Sequence, residues 1–98
     1  RDRIPEIIKE SGKKCVVEKI DNQNIPKYLD KKLKEEVEEY FESGEIEEIA
    51  DILEVLNSII DYSEFSYNEI ENIRKKKLNN RGGFNKMIKL KMVDDNKF

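Results

Sequence analysis

The sequence predicts a mainly α fold, an antiparallel helical bundle with a minor two-stranded β element, on three observations. Apolar residues recur at helical spacing through the middle of the chain. Glycine-, proline- and serine-containing breaks separate these periodic stretches. Two short alternating apolar segments, KCVVEKI (14–20) and MIKLKMV (87–93), suit strands, and we expect them to pair.

The helices follow from apolar periodicity and from end signals. Pro5 suits the first turn of a short N-terminal helix, which SGKK ends. Gly44 suits the position just after a helix, so it separates two long ones. Ser66 with Glu69 three residues later forms a capping box that begins a third. The predicted helices cover about 1–11, 25–43, 45–62 and 66–80.

The composition suits a single domain over 1–98 with a thin core. The chain is 37% hydrophobic and 42% charged, against about 25% charged residues in average globular chains. We therefore expect part of its apolar surface to be covered in a homodimer or higher homo-oligomer. The chain begins at Arg1 rather than Met, which is compatible with a preceding segment.

The charge and the residue inventory exclude several classes of function. With 19 basic and 22 acidic residues, the net charge of −3 gives no case for binding a nucleic-acid polymer or an acidic membrane. No apolar run approaches a membrane span, and no secretory signal is evident. A single cysteine, Cys15, fits a buried structural thiol and a reducing, cytoplasmic compartment. Histidine is absent, so any metal must be held by oxygen.

The stretch EEVEEYFESGEIEEIAD (35–51) holds nine acidic residues in seventeen and no positive charge. At about 100° per residue, Glu36 falls inside the apolar arc of the first long helix and Glu48 inside that of the second. Glu39 and Asp51 lie at the edges of these arcs. The residues that face outward are Glu38, Glu42, Glu45 and Glu47.

The turn at Gly44 should fold the two long helices into an antiparallel hairpin. Residues equidistant from the turn then meet, so Glu36 should face Asp51 and Glu39 should face Glu48. Four carboxylates in one small volume repel one another unless a divalent cation neutralises them, and oxygen ligands favour Mg²⁺ or Mn²⁺. The alternatives are salt bridges to lysine or arginine from elsewhere, or a different helix phase.

These residues carry a resemblance to a known family. EEVEE (35–39) followed by EIAD (48–51) matches the EExxE…ExxD pattern of the MazG-like all-α nucleoside triphosphate pyrophosphohydrolases. RDRIPEII (1–8) and KLNNRGGF (77–84) resemble the phosphoribosyl-ATP pyrophosphohydrolase-like subgroup. The resemblance covers nearly the whole chain and implies a bundle of the all-α NTP pyrophosphatase type.

The resemblance also implies an activity. It implies hydrolysis of a nucleoside triphosphate to the monophosphate and pyrophosphate with Mg²⁺. The subgroup's predicted house-cleaning role implies a non-standard nucleotide as substrate. It maps the metal ligands onto Glu36, Glu39, Glu48 and Asp51, and places Glu35 beside the site, where it would hold the attacking water or the substrate. The connection between Glu39 and Glu48 is shorter than in many members, so a residue from a longer connection has no counterpart.

Four basic residues are candidates for binding the phosphates of a substrate. Arg74 and Lys77 fall within the apolar stripe of the helix predicted at 66–80, and Arg81 continues that face. Lys32 lies at the edge of the apolar arc of the helix predicted at 25–43. Arginine binds phosphate oxygens in a fork and lysine supplies a compact charge. Alternatively, Arg74 and Lys77 extend from the edge of a core to solvent, and RGGF simply ends a helix.

Other functions compatible with the sequence are phosphoribosyl-ATP pyrophosphohydrolase of histidine biosynthesis, a non-catalytic nucleotide-binding relative, and a helical interaction protein.

Overall fold

The computed structural model describes residues 1–95, which form a mainly helical chain, as predicted. A short 3-10 helix, Asn22–Asn24, leads into the first long helix. No helix of these residues is both long and apolar enough to cross a membrane. The α-helices are α1 (Ile4–Glu10), α2 (Ile25–Ser43), α3 (Ile46–Tyr62) and α4 (Tyr67–Arg81).

A two-residue connection folds α2 and α3 into a hairpin. Gly44 follows α2 with φ 64°, in the left-handed region that glycine tolerates best. Its N–H donates to the Tyr40 carbonyl oxygen at 2.8 Å, which satisfies an end carbonyl of α2. The next N–H, of Glu45, donates to Ser43 Oγ at 3.2 Å. The reversal packs α3 against α2 in antiparallel orientation.

The hairpin is packed on one side of α3 and open on the other. Half-buried apolar residues follow each helix at helical spacing, with Leu29, Leu33, Val37 and Tyr40 on α2 and Ile52, Val55 and Ile59 on α3. A second stripe of α3 is exposed: Ile46, Ile49, Leu53 and Leu56. Within residues 1–95 no side chain is fully buried, so the core is as thin as the composition predicts.

The predicted two-stranded β element is wrong for the part of the chain that the structure describes, since neither 14–20 nor 87–93 forms a strand there. Alternating apolar residues form a stable strand when one of their faces is covered, and a two-stranded ribbon alone is marginal. Val16, Val17, Ile88 and Leu90 are all exposed, so neither segment has a covered face.

The chain divides into two compact units, Arg1–Tyr62 and a second that begins at Ser63. In the second unit, the Glu69 N–H donates to Ser66 Oγ at 3.2 Å, which confirms Ser66 as the N-cap of α4. Gly82 ends α4 with φ 77°, and its N–H donates to the Leu78 carbonyl oxygen at 2.9 Å.

Candidate metal centre

Three of the four predicted metal ligands converge across the α2–α3 hairpin. One carboxylate oxygen from each of Glu36, Glu39 and Glu48 lies within 4.8 Å of the others. Glu36 and Glu39 share one face of α2 because they are three residues apart. Glu48 reaches them from α3, so it lies near Glu39 as the hairpin geometry predicts. We call these three residues the glutamate cluster.

Two oxygens of the glutamate cluster lack partners. Glu36 Oε2 and Glu48 Oε2 are buried and accept no hydrogen bond, and the Glu36 side chain is only 13% exposed. A buried carboxylate oxygen without a donor costs free energy, which a bound cation would recover. The four carboxylates predicted to face outward are all exposed, namely Glu38, Glu42, Glu45 and Glu47.

The surroundings of Glu36 disfavour its charged form. Loss of water around the carboxylate raises its pKa above the usual value of 4.5, and the negative charges of Glu39 and Asp51 raise it further. Lys32 acts in the opposite direction but more weakly. Burial and the neighbouring carboxylates therefore act on the pKa of Glu36 in the same direction.

Asp51 lies beside the glutamate cluster and is held by a different cation. Its Oδ1 accepts a hydrogen bond from Arg1 Nη2, and the two side chains form an ion pair. Asp51 is nonetheless close enough to Glu36 to influence its pKa. The ion pair also raises the pKa of Arg1 above its usual value.

Glu35 and Lys32 form a polar edge next to the glutamate cluster. Lys32 Nζ lies 3.2 Å from Glu35 Oε2 and 3.8 Å from Glu36 Oε1. The hydrogen bond to Glu35 is the main cause that raises the pKa of Lys32. Glu35 therefore precedes the first residue of the glutamate cluster on α2, and its carboxylate is paired with Lys32.

A cavity of about 810 Å³ borders the carboxylates within the first unit. The residues that line it include Glu36, Asp51, Lys32 and Arg1, together with Tyr28 and the segment 17–20. Neither Tyr28 nor Lys19 was predicted to lie at the site. Tyr28 matches the spacing of an ordinary core position, and the segment that carries Lys19 reads as a strand.

The remaining predicted phosphate ligands gather on the second unit. Arg74, Lys77 and Arg81 line a cavity of about 570 Å³ with Gly82, Gly83 and Phe84. Arg74 is already paired, since its Nε donates to Glu71 Oε2 at 2.9 Å. Phe84 is a further exposed lining residue that carried no signal beyond its place in RGGF.

The glutamate cluster fits a hard divalent cation. Oxygens bound to one Mg²⁺ at about 2.1 Å lie at most about 4.2 Å apart, so a small side-chain adjustment would bring the three oxygens onto one ion. Comparison with protein-family models, with curated proteins and with solved structures gives no match for this chain. The family resemblance therefore stays a prediction.

Proposed function

We propose that this chain is a Mg²⁺-dependent nucleoside triphosphate pyrophosphohydrolase, for which Mn²⁺ can replace Mg²⁺. The observation that carries the proposal is the glutamate cluster, with its two buried oxygens that accept no hydrogen bond. This donor set suits a hard cation, and phosphate chemistry is the common use of Mg²⁺ held by carboxylates. The motif resemblance supplies the reaction class and the non-standard nucleotide as substrate.

The proposed roles follow from position. Glu36, Glu39 and Glu48 hold the ion, and Asp51 is the fourth ligand. When bound, the ion supplies charge neutralisation at the phosphates and a water of lowered pKa. Glu35, outside the cluster and 3.2 Å from Lys32 Nζ, orients the attacking water or accepts its proton.

The cavity of about 810 Å³ is the proposed substrate site. Its volume lies in the range of about 300–1,000 Å³ that small-molecule sites occupy. Lys32 and Arg1 bring positive charge to the same wall as Glu36 and Asp51, which suits a triphosphate bound beside its metal ion. Arg74, Lys77 and Arg81 line a cavity of the second unit, and their role as phosphate ligands stays a prediction from the sequence.

A homodimer is proposed from the exposed stripe of α3. Ile46, Ile49, Leu53 and Leu56 are spaced three, four and three residues apart, which is the a/d spacing of helices that pack together along their length. Within α3, the positions that flank this stripe are uncharged; they are Ala50, Ile52, Asn57 and Ile59. Sedimentation velocity of the purified chain tests this proposal.

The proposed compartment is the cytoplasm.

The function is tested by pyrophosphate release from a panel of standard, deaminated and oxidised nucleoside triphosphates and phosphoribosyl-ATP with Mg²⁺. We expect release from at least one non-standard triphosphate, its loss in Glu36→Gln, and its retention in the outward-facing control Glu38→Gln. Metal binding without turnover of any of them would favour a nucleotide-binding or helical interaction protein instead.

A further inference from the structure

The contact between Arg1 and Asp51 joins two residues that the helix pattern does not connect. Arg1 Nη2 donates to Asp51 Oδ1, and the negative charges of Glu54 and Glu36 also act on the guanidinium. Both side chains line the cavity beside the glutamate cluster. Arg1 therefore supplies positive charge at the point where the proposed ion would need a fourth carboxylate.

The same contact separates Asp51 from the other proposed ligands. One oxygen each of Glu36, Glu39 and Glu48 forms a compact group within 4.8 Å, and Asp51 contributes none to it. An oxygen that accepts a charge-assisted hydrogen bond from arginine is a poorer metal ligand, because its lone pairs and charge are already engaged. Two cations in so small a volume also repel each other.

We infer that Arg1 is the counter-cation of Asp51 in the metal-free protein and competes with the divalent cation for that carboxylate. Metal binding displaces the guanidinium from Asp51, and Arg1 then faces the cavity, where it can contact an anionic substrate. This inference rests on the proposed metal site. It makes Arg1 a positioning residue that couples metal binding to the charge of the cavity.

The expected effect is modest because the ion pair is partly exposed. A partly exposed pair of this kind is favoured over the separated side chains by a factor of up to about five. Because metal binds the fraction of molecules in which Asp51 is free, removing Arg1 should strengthen metal binding about two- to sixfold.

The test is calorimetric titration of Mn²⁺ into the full chain, without substrate, for wild type, Arg1→Gln and Arg3→Gln. Arg3 is a matched control, since it lines the same cavity and carries the same charge but pairs with Glu6 at 3.3 Å. We expect Arg1→Gln to bind Mn²⁺ two- to sixfold more tightly than wild type, and Arg3→Gln to change the affinity by less than about 1.5-fold.

Equal affinities for Arg1→Gln and Arg3→Gln, or weaker binding by Arg1→Gln, would overturn the inference while leaving the metal site intact. Absence of Mn²⁺ binding in all three proteins would instead overturn the metal site, and the inference with it. If only Arg1→Gln binds Mn²⁺, the result supports both the metal site and the competition between Arg1 and the ion.

Discussion

At the scale of single residues, Glu36 is a carboxylate whose surroundings disfavour its charge. Its carboxylate is largely shielded from water, stands near two other acidic groups, and has one oxygen that accepts no hydrogen bond. Lys32 approaches the other oxygen at 3.8 Å and offsets part of this cost. A site that is unfavourable when empty binds a cation with a larger gain, because the ion removes the repulsion.

Replacing Glu36 by Gln should stabilise the metal-free protein and abolish its stabilisation by Mn²⁺. Glutamine keeps the side-chain shape and removes the disfavoured charge. Wild type should gain about 2.7 kcal/mol when Mn²⁺ is present at a hundred times its dissociation constant. Urea unfolding with and without Mn²⁺ measures both effects. Glu38→Gln, on the exposed side of the same helix, should behave as wild type; an equal metal response in both variants would remove Glu36 from the site.

The raised pKa of Glu36 predicts how stability depends on pH. Between its usual value of 4.5 and the raised pKa, the folded protein binds more protons than the unfolded chain. The contribution of this group to stability therefore falls as pH rises through that window. In metal-free buffer, the stability advantage of Glu36→Gln over wild type should be larger at about pH 7 than at about pH 4. An advantage that is independent of pH would contradict the assigned cause.

At the scale of elements, the hairpin shows what the sequence could predict. Helical periodicity placed Glu36 and Glu48 on the packed face, and Gly44 fixed the turn that brings Glu39 opposite Glu48. The strand predicted at 14–20 is wrong because alternating apolar residues form a strand only where another layer covers one face of the segment. The Arg1–Asp51 pair was beyond prediction, since no periodic rule relates a residue before α1 to one in α3.

The turn at Gly44 provides a prediction about the hairpin. A Cβ added there would meet nothing within 4 Å, so only the backbone angle, φ 64°, opposes a side chain. We expect Gly44→Ala to destabilise the protein by about 1 kcal/mol, because an L-residue strains in the left-handed region. Gly44→Asn should lose less, since asparagine tolerates that region. Urea unfolding of the three proteins measures the difference, and equal losses would show that the backbone angle is not the cause.

At the scale of the whole molecule, the exposed apolar surface is the main feature. No side chain of residues 1–95 is fully buried, while the α3 stripe leaves Ile46 76% and Leu53 58% exposed. A chain of this composition gains stability when such a stripe is covered. The homodimer proposed above therefore affects stability as well as assembly.

Leu53→Lys should weaken self-association without unfolding the chain, because the side chain is already exposed in the single chain. A charge placed in an apolar helix–helix contact costs several-fold or more in association, whereas Leu53→Met keeps the contact apolar. Sedimentation velocity should show a shift toward monomer for Leu53→Lys alone. The melting temperature of wild type should also rise with protein concentration, and a constant value would argue against the dimer.

The two-residue connection between α2 and α3 also bears on how the protein folds. Because this connection is short, every proposed metal ligand lies between Glu36 and Asp51. Bringing these residues together therefore closes only a short loop of chain, which costs little entropy. Contacts between residues that are this close in sequence form early in folding and fast. On a ribosome, the α2–α3 hairpin and the proposed metal ligands that it carries can therefore assemble before α4 has been synthesised.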